Sequence, residues 1–363
     1  MATAMNTITL DARAPAAVAA KPLKAQDDKA MLRAAAELTR DLIAPRAGVY
    51  WADMGVSALV GYAALVGAVM LPGAWAVAGG VVAVLALYRA MSFIHEVSHM
   101  KHTQLRGFRG GWNAIVGVPM LIPSFMYEGV HNLHHAKTRY GTVDDPEYLP
   151  LALMKPWTLP LFIVVSALAP LGLLIRYGVL APMSVIVPGF RRIVVERYSA
   201  LAINPQFRRR APEGEAKRQW DRIEAAASVW AIALIVLVAT GTLPLRAFAI
   251  GFGIASAVAV LNQVRTLVAH LWENDGEAMS VTAQYLDSVN VPPPSLLPML
   301  WAPVGLRYHA LHHLLPGLPY HALGEAHRRL STALEEASPF HRASYTGLPF
   351  LVGKIARSTM GAR

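Results

Sequence analysis

The sequence predicts an all-α integral membrane protein: two transmembrane helical hairpins, four spans in all, carrying a cytoplasmic helical cap. Three observations support this. Of 363 residues, 55% are hydrophobic and only 15% charged, where an ordinary soluble domain carries about 25% charged residues. Four apolar stretches reach the roughly 20 residues that cross a bilayer. They pair across short turns almost free of charge, while the flanking segments hold nearly all the Lys and Arg.

Residues 1–45 begin the chain as a mobile cytoplasmic leader, rich in Ala, Lys and Asp. They lack the run of about 7–15 apolar residues that marks a signal peptide. A membrane domain over 46–335 follows, with spans at 51–71, 74–94, 225–243 and 247–271. Pro72-Gly73 turns the first hairpin. Basic residues, among them Arg208, Arg209 and Arg210, place both termini and the middle segment on the cytoplasmic side. Residues 157–175 and 177–190 are apolar but interrupted by Pro160, Pro170, Pro182 and Pro188. They read as interfacial helices or a re-entrant hairpin. Residues 112–125 are too short to cross, and 336–363 form a cytoplasmic tail. No repeat of fixed period is present.

The net charge of +10 fits a basic face on anionic lipid better than a nucleic-acid surface. The chain has no cysteine. That excludes disulfides, zinc ribbons and thiolate ligation of haem or iron–sulfur clusters. A metal must then be held by His, Asp, Glu or backbone oxygen.

Nine of the thirteen histidines fall into three clusters: His95, His99 and His102; His131, His134 and His135; His309, His312 and His313. A tenth, His270, stands alone at the inner end of the fourth run. Residues i, i+3 and i+4 share one face of a helix, so each cluster offers two or three imidazoles to one point. Even numbers of crossings separate the clusters, so all three can meet on one side of the membrane. Nine or ten imidazoles exceed the needs of one ion and imply two metals, for which imidazole suits iron, copper or zinc.

The pattern HxxxH, HxxHH, HxxHH resembles the membrane fatty acid desaturases and their relatives, the hydroxylases, ketolases and alkane monooxygenases, over residues 50–330. The Pro316-Gly317-Leu318-Pro319 turn after the third cluster is similar too. The resemblance implies two ferrous ions held by His95, His99, His102, His131, His134, His135, His270, His309, His312 and His313. It brings His270 in as the ligand such enzymes take from the end of the last membrane helix. Thr266 stands where acyl-CoA desaturases have an asparagine, leaving Asn262, one turn back, as a candidate. The short first spacing departs from the animal acyl-CoA desaturases. Glu96, Asp144, Asp145 and Asn274 are further candidates to orient ligating imidazoles.

The reaction so implied is oxidation of an aliphatic C–H bond of a lipid or fatty acyl chain with dioxygen as co-substrate. Desaturation ranks first, hydroxylation or ketolation second, and oxidative decarboxylation to a terminal alkene third. Electrons would come from a separate ferredoxin, rubredoxin or cytochrome, since no fused donor domain is visible. Two other classes compete. His95-Glu96-x-x-His99 is also a zinc metalloprotease motif, but it leaves the other clusters unexplained. A metal transporter would place its ligands within the spans, whereas these histidines lie beyond them.

Overall fold

The structure, a computed structural model, describes residues 26–101 and 103–360. The described residues are helical throughout, with isolated bridges and no strand. The first helix, α1 (Lys29–Leu38), is capped by Asp28, whose carboxylate accepts from Met31 N at 2.8 Å. α1 buries Met31 and Ala35 against Leu323, Ala326 and Leu330 of the cap. The described part of the leader is thus docked.

Helices α2 (Ala47–Met70) and α3 (Gly73–His99) form the first hairpin. Small residues let them pack closely: a Cβ on Gly79 would stand 2.9 Å from Ala68 N. The 27 residues of α3 make it about 40 Å long, longer than the roughly 30 Å hydrocarbon core. The excess carries His95 and His99 beyond the end expected at residue 94. A single turn, α4 (His131–His134), carries the second cluster.

Between the second and third clusters runs α5 (Thr158–Ile186), 29 residues long. Its prolines were expected to interrupt it. Instead, Pro170 and Pro182 fall in the first turns of successive helical pieces, where the missing N–H is not needed. Short 3₁₀ and π turns join those pieces. Among the described residues five helices are therefore long and apolar enough to cross a membrane, where the sequence suggested four spans. Exposed apolar side chains such as Val185 (83%) and Ile186 (79%) face outward. The start of α5 packs near the histidines and its middle packs against the second hairpin. Leu159 and Phe162 pack with Trp272, and Arg176 bonds Ser199 Oγ at 2.8 Å and Glu224.

Helices α6 (Gly214–Ala239) and α7 (Leu245–Leu267) make the second hairpin. α7 stops short of His270. Residues 269–271 instead pair with a strap at 287–289, through Leu271 N to Asp287 O (2.8 Å) and Val289 N to Ala269 O (3.0 Å). The strap continues to α8 (His309–Leu314), where Ala310 N meets Val289 O at 3.1 Å and Leu311 N meets Asn290 Oδ1 at 3.0 Å. This strap seats the lone His270 beside the third cluster. α9 (Leu323–Ala333) and a final helix, Leu348–Met360, complete the cap.

Candidate metal centre

α3, α4, the strap and α8 bring nine histidines to one place. His102 lies outside the described residues. The nine form two nests. One nitrogen from each of His95, His99, His131, His135 and His312 lies within 4.8 Å of the others, and so do those of His134, His270, His309 and His313. The sequence clusters are therefore not the units of the site. A helix advances about 100° per residue, so the i+3 and i+4 residues flank i on opposite sides and point about 100° apart. His131 and His135 serve one nest and His134 the other. His309 and His313 serve the second nest and His312 the first.

The contacts within each nest run from Nε2 to Nε2. In the first, His312 stands 3.0 Å from His99 and 3.2 Å from His135, and His135 stands 3.0 Å from His131. In the second, His270 stands 3.0 Å from His309 and 3.3 Å from His134, and His309 lies 3.2 Å from His313. The nests adjoin, with the His135 and His313 rings stacked at 4.2 Å between centroids.

The other ring nitrogens decide what those Nε2 atoms are. His131 Nδ1 meets Glu147 Oε1 at 2.8 Å and the Tyr127 hydroxyl at 2.9 Å. His134 Nδ1 meets both oxygens of Asp145, at 2.9 and 3.0 Å. His270 Nδ1 meets the Tyr140 hydroxyl at 2.9 Å, and that hydroxyl donates to Asp287 at 2.7 Å. A carboxylate only accepts, so it fixes the proton on Nδ1 and leaves Nε2 a bare lone pair. Lone pairs facing one another at about 3 Å repel unless a cation lies between them. His95 carries the same sign, since neither of its buried ring nitrogens has a hydrogen-bond partner.

Electrostatics agree with ligand chemistry. Burial holds His131, His135, His270, His309, His312 and His313 well below the usual histidine range, so they are neutral, as a ligand must be. At His134 burial also pulls downward, but the Asp145 carboxylate outweighs it and the net shift is upward. Burial pushes Glu147 and Asp287 up to about 7. Cations in the nests would supply the positive charge these carboxylates lack. Nine imidazoles, three of them backed by carboxylates, fit two divalent ions of the iron or zinc type.

The remaining candidates divide sharply. Asp145, 0% exposed, holds His134 and also accepts from Gly141 N and Glu147 N, each at 2.8 Å. Asp144 is exposed, its N–H bonded to Thr142 Oγ1. Glu96 was expected to orient an imidazole. It stands 3.7 Å from His95 Nδ1, too far for a hydrogen bond. It accepts instead from the Tyr50 hydroxyl and from Tyr320 N at 3.1 Å, tying α2 and α3 to the turn after the third cluster. Asn274 donates to Gly141 O (2.9 Å) and Glu277 O (2.8 Å) and so shapes the Asp145 loop. Gly141 is required there: its φ is +69°, and a Cβ would lie 2.6 Å from Asn274 Nδ2. Asn262 sits on α7 by Arg265, with their nearest contact at 3.5 Å. His327 and His341, outside every cluster, face Ser331 Oγ and Leu334 O in the cap.

Sequence reasoning missed Glu147, Tyr127, Tyr140 and Asp287. Only Glu147 had a local signal, since it follows Asp145 by two residues on the loop after the second cluster.

Comparison with known proteins agrees with this geometry. The fatty acid desaturase family profile matches residues 72–345. A ceramide hydroxylase of Caulobacter vibrioides (strain NA1000 / CB15N) is 48% identical over 335 residues, covering 92% of this chain and 95% of that protein. No solved structure matches the chain.

Proposed function

The chain belongs to the fatty acid desaturase family of membrane oxidoreductases, and we propose that it hydroxylates a ceramide-type lipid with dioxygen. The observation that carries an oxidative metal chemistry is the pair of histidine nests with inward lone pairs. The 48% identity to a ceramide hydroxylase favours hydroxylation over desaturation and favours a sphingolipid-like substrate.

In this reading His95, His99, His131, His135 and His312 hold one iron, and His134, His270, His309 and His313 hold the other. Two iron ions so bound supply dioxygen activation and the oxidising power that an unactivated C–H bond requires. The chain's residues do the rest. Asp145 and Glu147 keep the protons of His134 and His131 on Nδ1, as Asp287 does for His270 through Tyr140. The buried position of both nests excludes bulk water. Electrons come from a separate ferredoxin, rubredoxin or cytochrome.

The test is expression in a ceramide-producing host that lacks such an enzyme, with lipid mass spectrometry. Ceramides heavier by one oxygen are expected, with ¹⁸O label from ¹⁸O₂. Unsaturated ceramide with no label would replace hydroxylation by desaturation. An unchanged ceramide pool would reject the substrate class.

We also propose four crossings, with the nests and both termini cytoplasmic. The convergence of all three clusters supports this, because α6 and α7 already separate the second cluster from the third. A complete crossing by α5 would put the third cluster on the far side. Reporter fusions after residues 150 and 205 should both report cytoplasm; opposite signals would make α5 a full crossing.

A further inference from the structure

One cation near the nests has no assigned work. Arg265 lies on α7, 5 residues before His270. Its Nε is buried without a hydrogen-bond partner, and a terminal nitrogen stands 3.5 Å from Asn262 Oδ1. Among the described residues it makes no ion pair. The Tyr88 hydroxyl lies against it and donates to Trp301 O at 3.0 Å. Arg265, Trp301 and His309 line one small cavity of about 10 Å³, room for about one water. A charge at the end of a span, beside a nest and with a buried nitrogen left unpaired, marks a functional group.

The same two helices that hold Tyr88 and Arg265 also frame an apolar groove of about 480 Å³. Val77, Val81 and Leu85 of α3 and Ile250, Gly253 and Ala257 of α7 line it. Val77 and Val81 are exposed, so it opens to lipid. It runs away from the nests: Ala257 precedes Arg265 by 8 residues, about 12 Å along the helix. Tyr88 follows Leu85 by 3 residues on α3, and its hydroxyl donates to Trp301 O, which with Arg265 lines the small cavity beside His309.

Resting on the function proposed above, we propose that Arg265 is the polar anchor of the lipid substrate. Its guanidinium donates to the oxygen-bearing head of the lipid beside His309, and one hydrocarbon chain lies in the α3–α7 groove. The head, not the chain end, is then next to the second nest. The carbons oxidised are those within a few bonds of the head, and chain length in the groove governs binding.

Two substitutions separate the parts. Gly253 has nothing within 4 Å of where a Cβ would stand, so Gly253→Leu directs its side chain from an open position on the groove wall. Arg265→Leu removes the anchor, and Arg265→Lys keeps its charge. The full-length protein is purified with and without iron and incubated with long-chain ceramide or a short-chain ceramide. Retained lipid is counted by mass spectrometry on the iron-free protein, and hydroxyl position is read by tandem mass spectrometry on the iron-loaded one. Arg265→Leu should lower retention of both lipids roughly tenfold, the scale of a lost charged hydrogen bond, with iron content unchanged and partial recovery in Arg265→Lys. Gly253→Leu should lower retention of the long-chain lipid and spare the short one. The hydroxyl should lie near the head. Wild-type retention in both Arg265→Leu and Gly253→Leu would overturn the proposal and mark the groove as a bed for bulk lipid. So would a mid-chain hydroxyl, which would leave ceramide hydroxylation itself standing. A wild-type protein that retains ceramide in this pattern but oxidises none would instead reject the function and keep the binding site.

Discussion

His270→Ala is expected to empty the second nest, halve the iron per chain and abolish turnover. His270 stands 3.0 Å from His309 and 3.3 Å from His134 through Nε2, so its loss leaves three imidazoles around that ion. It is also firmly aimed, with its backbone on the 287–289 strap and Nδ1 on Tyr140 and Ser288. Losing a partner of a ligand alone costs about 10–100-fold in affinity or activity, and losing the ligand should exceed that. The first nest, with its five histidines intact, should keep its ion. Plasma mass spectrometry of iron against protein, paired with a turnover assay, makes the comparison. His341→Ala, in the cap, should leave both unchanged. Full iron and full activity in His270→Ala would remove His270 from the centre.

Asp145→Ala should come close in effect by a different route. One fully buried carboxylate serves His134 Nδ1, Gly141 N and Glu147 N. Without it, His134 loses its fixed tautomer, and metal affinity should fall about 10–100-fold. Two backbone N–H groups are also left unsatisfied, each costing about 1–3 kcal/mol, so the thermal midpoint should drop by several degrees even without metal. Asp144→Ala, one residue away and exposed, should change neither. A metal titration and a melting curve on both variants separate them. Equal behaviour would mean that the Asp145 contacts carry no weight.

The sequence showed the hairpins because lipid demands apolar length, and it showed the clusters because ligand spacing follows helix periodicity. It left open how each cluster divides. Whether His134 follows His131 or turns to His270 depends on how α4 is rotated against α8 and the strap, which no local pattern encodes. Asp287 and Tyr140 were invisible for a related reason: each meets its partner across more than a hundred residues of chain. Glu96 sat inside a familiar motif that suggested a role at the metal, yet its oxygens are taken by Tyr50 and Tyr320. The prolines of α5 look like breaks in sequence because their effect depends on where each falls in a helical turn. His270 was reached through family resemblance; its isolation on a non-helical segment would otherwise have hidden it.

The most direct test of the two-nest account is the metal content of the purified protein, read with Mössbauer spectroscopy on ⁵⁷Fe-grown material. Two irons per chain are expected, in two nitrogen-rich environments that differ because one nest has five histidines and the other four. One of the two should vanish in His270→Ala. A single stoichiometric zinc, or one iron unaffected by His270→Ala, would contradict the account.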